Sequence, residues 1–108
     1  RPYVQQALAQ GKRVFVDISA DWCVTCKVNE HRVLNQPEVI AALSQPDVVA
    51  LRGDWSKPST AIADFLGKRN RYAIPFNEVY GPGLADGEIF SPLLDKNTVL
   101  TTLDNAKG

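Results

Sequence analysis

The chain has 108 residues, of which 44% are hydrophobic and 22% charged, and its twelve Lys and Arg balance its twelve Asp and Glu. This length and composition predict one globular domain and exclude a disordered or fibrous chain. The absence of net charge gives no support for binding nucleic acid or for a polybasic membrane contact. No apolar run approaches the roughly 20 residues needed to span a bilayer.

The first half of the chain is predicted to contain helices and strands in the order 3–10 (helix), 13–19 (strand), 23–35 and 37–43 (helices) and 47–55 (strand). The first strand is rich in β-branched and aromatic residues, which favours burial, and it contains a lone Asp17. In the helix that follows it, we expect Val24, Val28 and Leu34 to form the apolar stripe.

The second half is predicted to continue with 57–72 (helix), 74–80 (strand), 81–87 (turn), 88–91 (strand) and 95–106 (helix). Asp95 is expected to cap the last helix. A βαβ unit that leads into an antiparallel hairpin predicts an α/β fold, with a central mixed sheet of about four strands flanked by helices. Open α/β sheets place their sites at the C-terminal ends of strands, where the cysteine pair of this chain follows the first strand.

Both cysteines, Cys23 and Cys26, lie in the stretch ADWCVTCK. Structural zinc usually takes four Cys or His ligands, and this chain has only His31 to add, so a zinc site within the chain is disfavoured. A purely structural bridge is also weak, because closing so small a loop removes little chain entropy. Copper(I) on two thiolates remains open, since soft metals favour sulfur.

Thiol–disulfide exchange fits the pair better. If Cys23 lies at the first turn of a helix, unpaired backbone N–H groups and the helix dipole stabilise its thiolate. Cysteines of such motifs have pKa values of about 3.5–7.5, against about 8.5 for a free thiol. The thiolate is the attacking species, so we expect Cys23 to form the mixed disulfide and Cys26 to resolve it. The alternatives are a copper(I)-handling module without redox turnover and a redox-inactive interaction domain.

Three neighbours of the pair are candidates for supporting roles. A buried Asp17 would have a raised pKa and exchange a proton with Cys26, whereas the strand pleat could instead turn it to solvent. Glu30 lies one helical turn beyond Cys26 and is either a second acid near the sulfurs or an ordinary solvated side chain. Trp22 either shields the site and contacts partners or belongs to the core.

The dipeptide Ile74-Pro75 opens the third predicted strand. Proline at a strand start is ordinarily trans. With the cysteine motif upstream, we expect a cis bond, which would bring the Ile74 backbone to the disulfide, where a substrate strand could pair with it.

These residues together resemble the thioredoxin superfamily over essentially the whole chain. The resemblance rests on VFVDISADWCVTCK and AIPFNEVY: an Asp in the strand before the site, Trp-Cys-x-x-Cys-Lys, and Ile-Pro about fifty residues later. More narrowly, ADWCVTCKVNE followed by VLNQPEVIAAL is similar to the C-terminal thioredoxin-like domain of the DsbD and ScsB-type thiol:disulfide interchange proteins.

The resemblance implies a thioredoxin-like fold and a domain that takes electrons from a membrane-embedded domain and reduces a periplasmic protein disulfide. It implies Cys23 as nucleophile and Cys26 as resolving thiol, Asp17 and Glu30 as acids near the active site, and Pro75 as cis-proline. Residues expected to contact the protein substrate are Trp22, Val24, Thr25 and Ile74.

The resemblance also implies the setting of the domain. No cofactor beyond the cysteine pair is expected. The expected partners are protein dithiols and disulfides: the membrane and N-terminal domains of its own parent protein and periplasmic thioredoxin-like proteins. We therefore expect residues 1–108 to be one periplasmic domain of a longer bacterial inner-membrane protein.

Overall fold

The computed structural model describes residues 2–71 and 73–107. Its elements are α1 (Pro2–Ala9), β1 (Arg13–Ser19), α2 (Val24–Asn29) with a π-helical continuation (Glu30–Leu34), α3 (Pro37–Leu43), β2 (Val48–Asp54), α4 (Thr60–Gly67), β3 (Phe76–Gly81), β4 (Leu84–Ile89) and α5 (Lys96–Asn105). The prediction for 57–72 includes residue 72, and the prediction of one domain includes residues 1 and 108; these three positions lie outside the described residues. None of the described helices is long and apolar enough to cross a bilayer.

The four described strands form one mixed sheet in the order β2-β1-β3-β4. β1 pairs in parallel with β2 and antiparallel with β3, and β3 pairs antiparallel with β4. The predicted βαβ unit followed by a hairpin is therefore confirmed, as is the mixed four-stranded sheet flanked by helices.

Alternation along β1 sends side chains to two cores, one on each face of the sheet. Val14, Val16 and Ile18 pack on the side of α1 and α4, whereas Phe15 packs on the side of α3 and α5. Asp17 has the same parity as Phe15 and therefore points to the face that carries α2.

Several predicted boundaries are wrong in the second half of the chain. The helix predicted over 57–72 ends at Gly67, and the strand predicted over 74–80 begins at Phe76, so Ile74 and Pro75 precede it. The hairpin turn is only Pro82-Gly83, and β4 begins at Leu84 instead of residue 88. After Leu84, the missed residues of β4 are polar or small, because this strand lies at the sheet edge, where one face needs no apolar side chains. The predicted helix over 57–72 begins only at Thr60, because Ser59 caps it by accepting the Ile62 N–H at 3.2 Å.

Two helix ends agree with the sequence prediction. Asp95 accepts the Thr98 backbone N–H at 3.0 Å, so its predicted capping role is confirmed. Gly11 follows α1 with a φ of 74°, a left-handed conformation that glycine adopts without steric cost.

Candidate active site

The cysteine pair forms a disulfide between the end of β1 and the start of α2. Cys23 and Cys26 are both buried, and their Cα atoms lie 5.3 Å apart. Cys23 is the N-cap of α2, and its Sγ accepts the backbone N–H of Cys26 over 3.1 Å. The predicted location at a helix start is therefore confirmed, and the leading sulfur already has a hydrogen-bond donor directed at it.

The residues around Cys23 project outward. Trp22 is 61% exposed and Val24 73% exposed, while Thr25 is half-buried. The core interpretation of Trp22 is therefore wrong. The predicted apolar stripe is also wrong at Val24: the buried side of this helix and its continuation consists of Cys26, Asn29 and Val33. The first turn of α2 follows the C-terminal end of β1, and Val24 is exposed there.

The segment before β3 lies against the disulfide. The Ile74–Pro75 peptide bond is cis. The Ile74 side chain packs on the buried cluster of Ala20, Cys23 and Cys26. This contact brings Ile74 and the pair together although they are about fifty residues apart in sequence.

Asp17 is buried, with 6% of its surface exposed, so the solvent-facing alternative is wrong. Burial raises the pKa of the Asp17 carboxyl above its usual 3.8, because desolvation disfavours the charged form. Two neighbours oppose this rise in pKa. Asn77 donates from Nδ2 to Asp17 Oδ1 over 2.9 Å, and Arg52 Nε lies 3.7 Å from Oδ2.

Arg52 also connects Asp17 to Glu30. Its Nη2 lies 3.6 Å from Glu30 Oε2, and its side chain is 66% exposed. Glu30 is the first residue of the π-helical continuation and half-buried, and its charge adds to the upward shift in the pKa of Asp17. Glu30 is therefore electrostatically linked to Asp17 through a cation that stands between the two carboxyl groups.

Arg52 and Asn77 were missed by the sequence analysis. Both lie directly opposite Asp17, Arg52 on the parallel neighbour β2 and Asn77 on the antiparallel neighbour β3. A signal existed, since each is a polar residue inside a predicted strand. Only the register between strands shows that they meet at one carboxyl group.

An open groove of about 740 Å³ begins beside the pair. Trp22 and Ile74 line it next to the cysteines, and Trp55, Lys57 and Pro58 line its far side. The Asp21 backbone N–H donates to Ser56 Oγ over 2.8 Å, which joins the loop before Cys23 to the loop that forms the far wall. Within residues 2–71 and 73–107, no cluster of three or more His, Cys, Asp and Glu side chains is placed to hold a metal ion.

Residues 3–82 match the model of a family described as thioredoxin-like. The chain is 43% identical over 72 residues to the thiol:disulfide interchange protein DsbD of Pseudomonas sp. strain JR1 / K1, covering 67% of this chain and 12% of that protein. It is 33% identical over 102 residues to DsbD of Cronobacter sakazakii, covering 92% of this chain and 17% of that protein. The chain thus spans less than a fifth of the length of these relatives.

Among solved structures, the fold is similar to the oxidised C-terminal domain of Neisseria meningitidis DsbD. The TM-score is 0.69 at 25% identity, with 96% of this chain and 90% of that domain covered. The two cysteines, the strand that precedes them and the Ile74-Pro75 segment all lie within the matched residues 3–82. The chain therefore belongs to the thioredoxin-like family and is a DsbD-like domain whose two cysteines form a disulfide.

Proposed function

We propose that this domain is a thiol–disulfide oxidoreductase that reduces a protein disulfide through Cys23 and Cys26. The observation that carries the proposal is the disulfide at the start of α2, with its leading sulfur hydrogen-bonded to a backbone N–H and Ile74 packed against the pair. The names of the relatives, thiol:disulfide interchange proteins, support the same reaction.

The reaction starts from the reduced dithiol. The Cys23 thiolate attacks one sulfur of the partner disulfide, so that a mixed disulfide forms and the other partner sulfur leaves as a thiolate that takes up a proton. Cys26 then loses its proton and attacks Cys23 Sγ. This step breaks the mixed disulfide, releases the second partner thiol and closes the Cys23–Cys26 bond. Two electrons have then passed to the partner.

Asp17 is the proposed proton acceptor for Cys26. It lies on the face of β1 that carries α2, in a buried environment that raises its pKa toward that of a general base. Arg52 and Glu30 both border a polar cleft of about 760 Å³. Water between these two side chains would take the proton from Asp17 to bulk solvent, and the permanently charged Arg52 would balance the negative charge that Asp17 regains.

The partner would lie across Cys23. Trp22, Val24 and Thr25 would contact it on one side, and the backbone around Ile74-Pro75 would pair with its extended segment on the other. The groove lined by Trp22, Ile74 and Trp55 continues this surface and would accept residues that flank the partner cysteine.

The DsbD relatives support a place for this domain in a longer chain. We propose that it is a periplasmic domain of an inner-membrane protein, is re-reduced by a dithiol of the membrane-embedded part, and reduces the N-terminal domain of the same protein and periplasmic thioredoxin-like proteins. The chain spans 12% of one relative and 17% of another. The proposed membrane-embedded and N-terminal partner domains would therefore belong to the rest of the parent protein.

Trapping of the mixed disulfide tests the order of attack. Reduced Cys26→Ala protein mixed with a disulfide-linked peptide should form a stable one-to-one adduct through Cys23, seen by intact mass and peptide mapping. The matched Cys23→Ala variant should form markedly less adduct, because Cys26 lies inside α2, whereas Cys23 is the N-cap whose sulfur accepts a backbone N–H. Equal adduct formation by both variants would contradict the assigned roles.

Equilibration with a dithiothreitol or glutathione couple tests the direction of electron flow. A reductant should have a potential nearer to −270 mV than to −120 mV, the values typical of thioredoxin and of a dedicated oxidant. A value near −120 mV would overturn the reductant proposal. Tight copper(I) binding by the reduced protein, without reduction of insulin, would instead support metal handling.

A further inference from the structure

Asn29 is buried at 2% exposure, three residues beyond Cys26 in α2. Its side chain makes hydrogen bonds in both directions to one short segment of the β4–α5 loop. Nδ2 donates to the Pro92 carbonyl oxygen over 2.8 Å, and Oδ1 accepts the Leu94 backbone N–H over 3.0 Å. The two bonds lie on either side of Leu93, so the amide fixes the backbone around this residue to α2.

Leu93 itself is 63% exposed, while its neighbour Leu94 is buried in the core beside α5. An exposed leucine in a loop is unremarkable when the loop is loosely held. Here the backbone is anchored immediately before and after it, which holds an apolar side chain outward. Within the part of the chain whose side chains are described, the other large exposed apolar residues are Trp22, Val24 and Ile40.

The loop that carries Leu93 is connected to the cysteine pair through Ile74. Phe90, Ser91 and Pro92 line one cavity of about 440 Å³ together with Ile74 and Pro75. Ile74 in turn packs on Cys23 and Cys26. Two of the exposed apolar residues, Trp22 and Val24, flank Cys23 directly. Leu93 follows Pro92, so it lies one residue from a cavity wall shared with Ile74, on the other side of the pair.

We propose that Asn29 is a positioning residue that holds Leu93 in place as an apolar contact for the protein partner. The occupant is the segment of the partner that carries its disulfide, with apolar residues next to the attacked cysteine. This inference rests on the proposed function. It adds that selectivity for protein disulfides over small disulfides depends on Asn29, whose side chain neither reacts with the partner nor titrates.

The test compares two disulfides, insulin and oxidised glutathione. Leu93→Ser should lower kcat/KM for insulin relative to that for oxidised glutathione about five-fold, mainly through KM, because a small disulfide cannot reach Leu93. Asn29→Ala should lower the same ratio by a similar factor. Ile40→Ser, which removes an exposed apolar side chain from α3, should leave the ratio unchanged and serves as the matched control.

The double variant decides whether Asn29 acts through Leu93. If it does, Asn29→Ala combined with Leu93→Ser should lower the ratio no further than either change alone, whereas independent roles would multiply. Multiplying effects, or equal losses with both disulfides, would overturn the proposal and leave Asn29 a purely structural residue. A wild-type protein that reduced neither disulfide would instead refute the proposed function.

Discussion

Asn77 and Asp17 face each other across β3 and β1, and the Asn77 amide donates to the buried carboxyl group over 2.9 Å. Both residues are almost completely buried. A carboxyl group in this position can ionise only if its charged form is hydrogen-bonded, and Asn77 supplies that bond. The amide thus moderates the rise in pKa that burial causes.

Replacing Asn77 with Leu should raise the pKa of Asp17 further, because the charged form loses its closest donor while the desolvation remains. The measurement is a carbon-13 NMR titration of the Asp17 carboxyl in the oxidised protein, with Asp17→Asn used to assign the resonance. An unchanged or lowered pKa in Asn77→Leu would show that the amide does not stabilise the carboxylate.

The raised pKa of Asp17 also makes stability depend on pH. As pH rises above the usual Asp value of 3.8, the unfolded chain releases this proton while the folded protein retains it. Folding is therefore favoured by this group at low pH, and the contribution is lost as pH rises through the folded pKa. Each unit by which the two pKa values differ corresponds to about 1.4 kcal/mol.

Asp17→Asn removes this titration. Its free energy of unfolding relative to wild type should therefore increase as pH rises from about 4 toward 8, as measured by guanidinium denaturation of the oxidised proteins. A stability difference that stayed constant between the two pH values would mean that Asp17 titrates alike in the folded and unfolded chains.

A second buried carboxylate, Glu78, depends on Arg69. Arg69 Nε donates to Glu78 Oε1 over 2.9 Å, and its Nη2 donates to the Tyr80 hydroxyl over 2.8 Å. The guanidinium also lies over the Phe65 ring at 3.6 Å. Arg69→Leu should destabilise the protein by about 3 kcal/mol, because Glu78 would be left buried without its cation.

The control for Arg69 is the double variant Arg69→Leu with Glu78→Gln, which removes the charge as well as its partner. It should recover part of the lost stability in thermal or denaturant unfolding. If the double variant were less stable than the single one, uncompensated charge could not be the cause of the loss.

Gly81 ends β3 where the hairpin packs on the end of α5. A Cβ at this position would overlap the carbonyl oxygen of Ala106 and approach its Cβ to 2.8 Å. Gly81→Ala should therefore destabilise by about 1–3 kcal/mol, as overpacking typically does. Gly67→Ala in α4 is the matched control: nothing lies within 4 Å of its added Cβ. It should be neutral or stabilising by about 0.5–1 kcal/mol. Equal effects in denaturant unfolding would contradict the close approach at Gly81.

Much of the fold follows from local patterns. The apolar run of β1, the cap at Asp95 and the position of Cys23 at a helix start depend on neighbouring residues, and all three were predicted. The early start of β4 was not predicted, because an edge strand shows little apolar alternation. The exposure of Val24 was not predicted for a related reason. Helical spacing indicates which side of a helix its apolar residues share, but not how far along the helix axis the core extends.

The site was predictable where short motifs indicate it: the cysteine motif with the strand before it, and the Ile74-Pro75 dipeptide. Cys23, Cys26 and Asp17 fall within ten residues of one another, and their proximity needs no knowledge of the sheet. Arg52 and Asn77 come from distant strands, so their meeting with Asp17 depends on pairing register. The role of Asn29 could not be predicted for another reason. An asparagine in a helix is ordinarily exposed, and no neighbouring residue indicates that it hydrogen-bonds to a loop more than sixty residues away.

Arg52, Asp17 and Asn77 form a polar row across three adjacent strands. Because side chains alternate between the two faces, sliding β2 or β3 by a single residue would carry its polar member to the opposite side of the sheet. In a misaligned sheet, the Asp17 carboxyl group would be buried without its partner, and the Arg52 guanidinium or the Asn77 amide would face the apolar core on the opposite side. The row therefore favours the native register of the three strands, in addition to setting the environment of the Asp17 carboxyl group.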